Sequence, residues 1–298
     1  MKKILFDCDN TMGLPEKDVD DGLVLLYLIG NNNLKLSGVT TVFGNGSLEE
    51  VDNSTERIFS ELNITDITLK SGACSSANLE QKAACYLVEQ AKKYPGEFSL
   101  LATGALTNLK AAYRMDPEFF TNLKEIVVMG GLTEPLIFGD QEIEELNFSC
   151  DPEAAYITLN ADTPVTVMSG NLCLEALFGS QEYDRLKNNN LPIYNLIFDY
   201  IKDWFDFSSK LIGKSGFYMW DLVAALYLEQ KELYNSKYYR FNSDINDLTC
   251  GRLKIKELAI CEDDKSSAGV INLPVGIKDV EVFKDLIFST WANIKFGG

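Results

Sequence analysis

"KILFDCDNT", residues 3–11, runs three apolar side chains into Asp7, Cys8, Asp9, Asn10 and Thr11. An apolar run of this length, closed by polar turn residues, predicts a buried strand over 3–9. A buried strand that ends in acids places chemistry at the carboxyl edge of an α/β sheet. The same letters support two chemistries. Asp7 could serve as a nucleophile toward a phosphoryl group, or Asp9 as a general base beside a bound cation, and the choice decides the function.

The pattern that follows supports the sheet. Short apolar runs at 35–41, 66–69, 98–102, 125–129 and 164–168 read as further strands, and 20–29, 48–62, 80–93, 107–113 and 151–159 read as helices between them. Such alternation predicts βαβ units, a mostly parallel central sheet flanked by helices, and a Rossmann-like α/β fold. Asp9, Asn45, Thr103 and the Gly130-Gly131 pair all fall at predicted strand ends, so they can converge although far apart in the chain. In "SCDPEAAYI", Asp151 is suited to cap a helix, Pro152 to open it and Glu153 to face its positive end, which places Asn147 in the entering loop. A long aromatic helix is expected over 191–211, then "FYMWDLVAALYL", and from Cys250 short strands followed by a terminal helix over 280–292. No linker composition, internal repeat or low-complexity segment interrupts the chain, which reads as one domain over 1–298.

Composition narrows the chemistry. With 298 residues and 46% hydrophobic content the chain can bury a large core. No apolar run approaches the ~20 residues of a membrane span, and the three apolar residues before the first acid are too few for a signal-peptide core. A cytoplasmic protein that binds no membrane is expected. Seven cysteines, at 8, 74, 85, 150, 173, 250 and 261, show no CxxC spacing, against a zinc site and against a disulfide framework. The formal charge of −17 disfavours nucleic-acid partners and suits a small-molecule substrate. The sequence has no histidine, which removes Ser-His-Asp and Cys-His nucleophiles and every imidazole acid or base. Carboxylates, amides and aromatics carry the chemistry.

Asp20 and Asp21 stand at the start of an apolar helix, and with Asp9 they form a hard oxygen cluster of the kind that takes Ca²⁺ or Mg²⁺. The phosphatase alternative, of the haloacid-dehalogenase type, would use Asp7, with Thr40 or Thr41 and the late acids at 262–264 as further motifs. Against that background the chain resembles the nucleoside hydrolases through six segments in order: "DCD" with "DVDDGLVLLYL", "GVTTVFGN" at 38–45, "LLATGALTNL" at 100–109, "EIVVMGG" at 125–131, "EELNFSCDPEAA" at 144–155 and "MWDLVAALYL" at 219–228.

The resemblance implies hydrolysis of the N-glycosidic bond of a ribonucleoside to base and ribose, with a place in purine salvage. It implies Ca²⁺ bound by Asp9, Asp21, Asp221 and the main-chain carbonyl of Thr103, with Asp9 as general base. It sets Asp20, Asn45, Glu145 and Asn147 on the ribose hydroxyls, Met129 nearby, and a homodimer or homotetramer as the assembly. Trp220 stands before Asp221 where inosine-uridine-type members have histidine. The purine-preferring members resemble this chain there, and base stacking on that ring, with Trp204 as a second stacking partner, implies purine nucleosides. Another N-riboside, such as a pyrimidine or nicotinamide riboside, is the alternative on the same scaffold, and a ribose-binding protein without turnover is a third. The chain departs from the compact family loop by about seven added residues within 10–19. This insertion can bulge outward without moving either anchor, or it can reshape the site, with Asp18 as a substitute for Asp20 or an extra ligand and the loop over the 5′ end of the ribose. The Gly139-Asp140 region does not align with the amide expected for the 5′ hydroxyl.

Overall fold

A computed structural model describes residues 1–79, 81–259 and 267–295. The strands are β1 (Lys2–Cys8), β2 (Leu34–Thr41), β3 (Thr68–Lys70), β4 (Phe98–Ala102), β5 (Glu125–Met129), β6 (Leu136–Phe138), β7 (Gln141–Ile143), β8 (Val165–Met168), β9 (Leu177–Phe178), β10 (Phe217–Tyr218), β11 (Tyr238–Phe241), β12 (Ile255–Glu257) and β13 (Val270–Asn272). Among the described residues one nine-stranded sheet runs in the order β12-β11-β13-β8-β5-β4-β1-β2-β3, with β6-β7 and β9-β10 as separate two-stranded pairs. From β13 to β3 every pairing is parallel, and only β11 runs antiparallel to its neighbours β12 and β13. The expected α/β architecture is the one observed.

Strand β1 sits centrally because both of its faces are covered. Ile4, Phe6 and Cys8 pack into one apolar layer with helices Asp20–Gly30, Pro192–Ile212, Trp220–Tyr227 and Val280–Trp291, while Leu5, Leu100, Ala102 and Val128 pack into the other with helices Lys82–Lys93, Thr107–Met115 and Pro152–Leu159. The two-residue side-chain period of a strand divides the run this way, and two covered faces explain why it reads as nearly continuous apolar sequence. The chain places β2 and β3 on one side of β1 and returns with β4 on the other. That reversal opens a crevice beyond the carboxyl ends of β1 and β4, which is where an open parallel sheet binds ligands.

Element boundaries differ modestly from expectation. The helix expected over 80–93 is observed as Lys82–Lys93, with Glu80 outside the described residues, and the strand expected over 66–69 is Thr68–Lys70. The acids at 262–264 lie outside the described residues as well. Asp151 caps its helix as expected, accepting the Ala154 amide at 3.1 Å, and Pro152 stands in the first turn. Asn147 is not in a loop: it opens the one-turn helix Asn147–Cys150. Its amides are drawn together by the Glu145 carboxylate, whose two oxygens accept the Phe148 amide at 3.1 and 3.0 Å.

Candidate active site

Asp9 follows the last residue of β1 and is fully buried. Asn45, beyond β2, grips both of its oxygens: the main-chain amide donates to Oδ2 at 2.7 Å and the side-chain amide to Oδ1 at 3.2 Å. Space for that carboxylate depends on missing side chains. A Cβ on Gly44 would stand 1.9 Å from Asp9 Oδ2, and one on Gly104 would stand 3.1 Å from Asp9 Cβ. Burial raises the Asp9 carboxyl above its usual range, opposed by hydrogen bonds from Asp21 and Asn45.

Two helix N-termini bring the remaining acids to the same place. Asp20 and Asp21 open helix Asp20–Gly30, and Asp221 lies in the first turn of helix Trp220–Tyr227. Asp21 Oδ1 accepts the Thr103 hydroxyl at 2.5 Å, and Asp20 Oδ2 accepts the Asp221 amide at 2.7 Å, tying the two helices together. Burial first, then neighbouring carboxylates, raises the pKa of Asp20, Asp21 and Asp221. No lysine or arginine enters that balance, so like charges face one another in a dry environment.

The donor chemistry fits a hard divalent cation. Every candidate ligand is an oxygen, and Asp20 Oδ1 is buried with no hydrogen-bond partner among the described residues. As the side chains stand, no group of three or more acids or cysteines among the described residues is arranged to hold a metal ion.

Above the acids lies a cavity of about 200 Å³. Its polar lining includes Asp18, Asn45, Thr103, Glu145, Asn147 and Asp221, which stand in strand-end loops and at helix starts. Its apolar lining includes Met129, Leu136, Phe138, Tyr218, Trp204 and Trp220. Phe138, on β6, stacks on Tyr218 at 5.6 Å with 10° between planes, and Tyr218 contacts Trp220 at 5.3 Å. Trp204 comes from helix Pro192–Ile212, so both tryptophans singled out in the sequence line one cavity. Asp9, Asp20 and Asp21 are fully buried and are not part of its wall, whereas Asp221 reaches it.

The other expected residues brace the cavity. Asn147 Nδ2 donates to the Thr103 carbonyl at 2.8 Å, the Met129 carbonyl at 3.1 Å and Met129 Sδ at 3.3 Å, so one amide joins the ends of β4 and β5. Burial pushes the Glu145 carboxyl up to about 7, against the amides it accepts, the Phe148 N–H among them. Asp7 lies elsewhere. It is fully buried, accepts the Asn108 side-chain amide at 2.6 Å and the Thr40 hydroxyl, and takes no part in the cavity wall. Asp9 is likewise absent from that wall, so the choice between the two acids rests on the family match that follows.

The insertion over 10–19 exposes Pro15 and Glu16 at its middle while its two ends are buried. Met12 is fully buried against Gly22, where a Cβ would stand 2.3 Å from its sulfur, and Arg57 donates to the Met12 carbonyl at 2.6 Å. Lys17 Nζ donates to the Asn45 carbonyl at 2.7 Å. A buried apolar side chain near its start and two cations binding carbonyls hold the segment against the body of the protein. Sequence reasoning also passed over Gly44, Phe138 and Tyr218. The signals were present, a glycine directly before Asn45 and an aromatic two positions before Trp220, but neither indicates what it faces.

Comparison with known proteins gives a consistent result. The model of the family described as inosine-uridine preferring nucleoside hydrolase matches residues 4–284. Uridine nucleosidase 1 of Arabidopsis thaliana is 26% identical over 265 residues, covering 79% of this chain and 76% of that protein. The inosine-uridine preferring nucleoside hydrolase of Crithidia fasciculata is 27% identical over 220 residues, covering 62% and 65%. Among solved structures, a plant nucleoside hydrolase superposes with a TM-score of 0.84 at 17% identity, covering 98% of this chain and 99% of that one. A purine-preferring ribonucleoside hydrolase from Gardnerella vaginalis gives 0.82 at 20% identity, with the same coverage. At these identities the structural likeness speaks for the fold.

Proposed function

The chain belongs to the inosine-uridine preferring nucleoside hydrolase family and is an N-ribosyl hydrolase; on that premise we propose that it cleaves purine nucleosides, with Asp9 as the general base. The observation that carries the purine reading is the pair of tryptophans, Trp204 and Trp220, lining the cavity that stands above Asp9. Base stacking on an aromatic ring contributes about 1 to 3 kcal/mol per base and favours the larger ring system.

Water adds to the anomeric carbon while the C–N bond breaks and its electron pair leaves with the base, through an oxocarbenium-like state. Asp9 takes the proton of the attacking water. Its direction is fixed because Asn45 holds both carboxylate oxygens. Asn45, Asn147 and Glu145 orient the ribose, with Met129 beside them, in a set to which the family pattern adds Asp20, and Trp220 and Trp204 stack the base so that solvent can protonate it. The carboxylates of Asp9, Asp21 and Asp221 and the Thr103 carbonyl would hold a hard cation, for which we propose Ca²⁺. When bound, such an ion supplies a more acidic water and a clamp on the ribose diol. One catalytic domain over 1–298, a homodimer or homotetramer and a cytoplasmic location complete the proposal, supported by the resemblance; among the described residues no helix is long and apolar enough to cross a membrane.

A second reading, pyrimidine nucleosides, is favoured by the sequence relatives named for uridine. Both are tested by ribose release from inosine, adenosine, guanosine, uridine, cytidine, nicotinamide riboside and p-nitrophenyl riboside, before and after chelation and on adding back Ca²⁺ or Mg²⁺. The purine reading expects purines first, and Trp220→Ala to lose them about tenfold more than p-nitrophenyl riboside, whose leaving group needs no protonation. Uridine first, with equal losses on both substrate types, would put the pyrimidine reading in its place. Full activity after chelation would remove the cation.

A further inference from the structure

We propose that Asp18, carried by the inserted segment 10–19, binds a ribose hydroxyl on the cavity wall, a contact that the family pattern assigns to the first acid of the Asp20-Asp21 pair. The inference rests on the N-riboside reading above and concerns which residues of this chain meet the sugar.

Three observations carry it. Asp18 lines the cavity and Asp20 does not: Asp20 is 1% exposed, its Oδ2 accepts the Asp221 amide at 2.7 Å, and it serves to join two helix starts. The Asp18 carboxylate is half committed. Its Oδ1 accepts the Val19 amide at 2.6 Å and the Asp20 amide at 3.1 Å, which fixes the direction of the group, while no hydrogen bond is made to Oδ2 among the described residues. A carboxylate oxygen without a donor, on the wall of a cavity, is suited to accept from a hydroxyl.

The segment that presents Asp18 is also anchored on the sugar side. Lys17 Nζ donates to the carbonyl of Asn45, the residue whose amides hold Asp9, and the Thr11 hydroxyl donates to the Asp18 carbonyl at 2.9 Å. Asp18 therefore stands among the polar lining, near enough to Asp9 for the two carboxylates to repel. Because Met12 is locked beneath Gly22 and bound by Arg57, little ordering is left to occur when substrate enters.

The test uses Asp18→Asn in the full chain, since asparagine retains an oxygen for the Val19 and Asp20 amides. kcat and KM are measured for the best ribonucleoside and for its 2′-, 3′- and 5′-deoxy analogues. Loss of a charged hydrogen bond made to substrate predicts KM raised about tenfold or more, with kcat changed less. One of the three analogues, lacking the hydroxyl that Asp18 takes, should then be turned over equally well by parent and variant. KM within about twofold of the parent, or an equal loss on all three analogues, would overturn the assignment. If the parent releases no ribose from any N-riboside, the reading of function fails separately, and calorimetric binding of free ribose decides for Asp18. Binding about tenfold weaker in Asp18→Asn supports the contact, whereas equal binding or none to the parent removes it.

Discussion

Two aspartates one residue apart have opposite surroundings. Asp7 lies in β1 and Asp9 directly after it, yet Asp7 is enclosed by Thr40 and Asn108, and Asp9 is gripped by Asn45 below the cavity. Burial pushes the Asp7 carboxyl up to about 7, and its Oδ2 has no partner among the described residues. An amide of the same shape is well suited to that place. Asp7→Asn is therefore expected to keep ribose release within about tenfold of the parent, while Asp9→Asn lowers kcat by about 10² or more, as loss of a general base does. A steady-state comparison of the two purified variants checks both, and an inactive Asp7→Asn beside an active Asp9→Asn would reverse the assignment. The legible part of this contrast was the pair of acids itself. That Asp7 is the enclosed one depends on Asn108 and Thr40, residues whose contacts with it no local pattern shows.

At the scale of elements, the site is a set of strand ends held open by small residues. The turn after β2 passes so close to Asp9 that Gly44 has no room for a methyl group, with 1.9 Å available to Oδ2. Gly44→Ala should leave the sheet intact and displace the base, lowering kcat by about 10², the cost of misplacing a reacting group by about 1 Å. Assay together with thermal melting checks this, because a loss of activity that merely followed a loss of folded protein would refute the cradle. Longer elements were readable and short ones were not. The 21-residue helix Pro192–Ile212 has a strong apolar period, a proline in its first turn and Gly213 in the left-handed region at φ 68° to end it. Its buried face, with Ile197, Ile201 and Phe205, could be anticipated from that period, whereas the place of Trp204 on the cavity was expected from the resemblance alone. The hairpin β6-β7 and the turn Asn147–Cys150 are too short to carry a period, and they owe their form to capping and to contact with Tyr218.

Over the whole molecule, the two ends of the sheet differ in charge. The carboxyl end gathers Asp9, Asp18, Asp20, Asp21 and Asp221, whereas at the opposite end Glu125, which opens β5, is held by Lys2 at 3.0 Å, Lys231 at 2.5 Å and the Ser99 hydroxyl at 2.7 Å. Burial alone would raise the Glu125 carboxyl, but Lys231, Lys2 and Ser99 outweigh it and hold the group down at about 2. A folded-state value below the unfolded one adds stability above the unfolded pKa, here 4.5, which is lost as pH falls through about 2. With Lys231 partly exposed, the contribution is on the order of 2 kcal/mol. Glu125→Gln should thus melt several degrees lower than the parent at pH 7, and the gap should narrow steadily below pH 4. A gap that stays constant across that range would show that shape, not charge, is what Glu125 supplies.

The sequence by itself determined a mostly parallel sheet and the placing of acids and amides at its strand ends, because a strand buried on both faces and a helix capped by Asp151 are written in local periods and local hydrogen-bonding partners. It also marked Trp204 and Trp220 as rings in need of a use. Only the tertiary structure decided that Asp18 reaches the cavity wall while Asp20 ties two helices together, that the insertion is held by the buried Met12, and that Gly44 makes room for Asp9. Each of those outcomes depends on distances between segments far apart in the chain, fixed when both layers of helices close on the sheet. No local pattern carries that information.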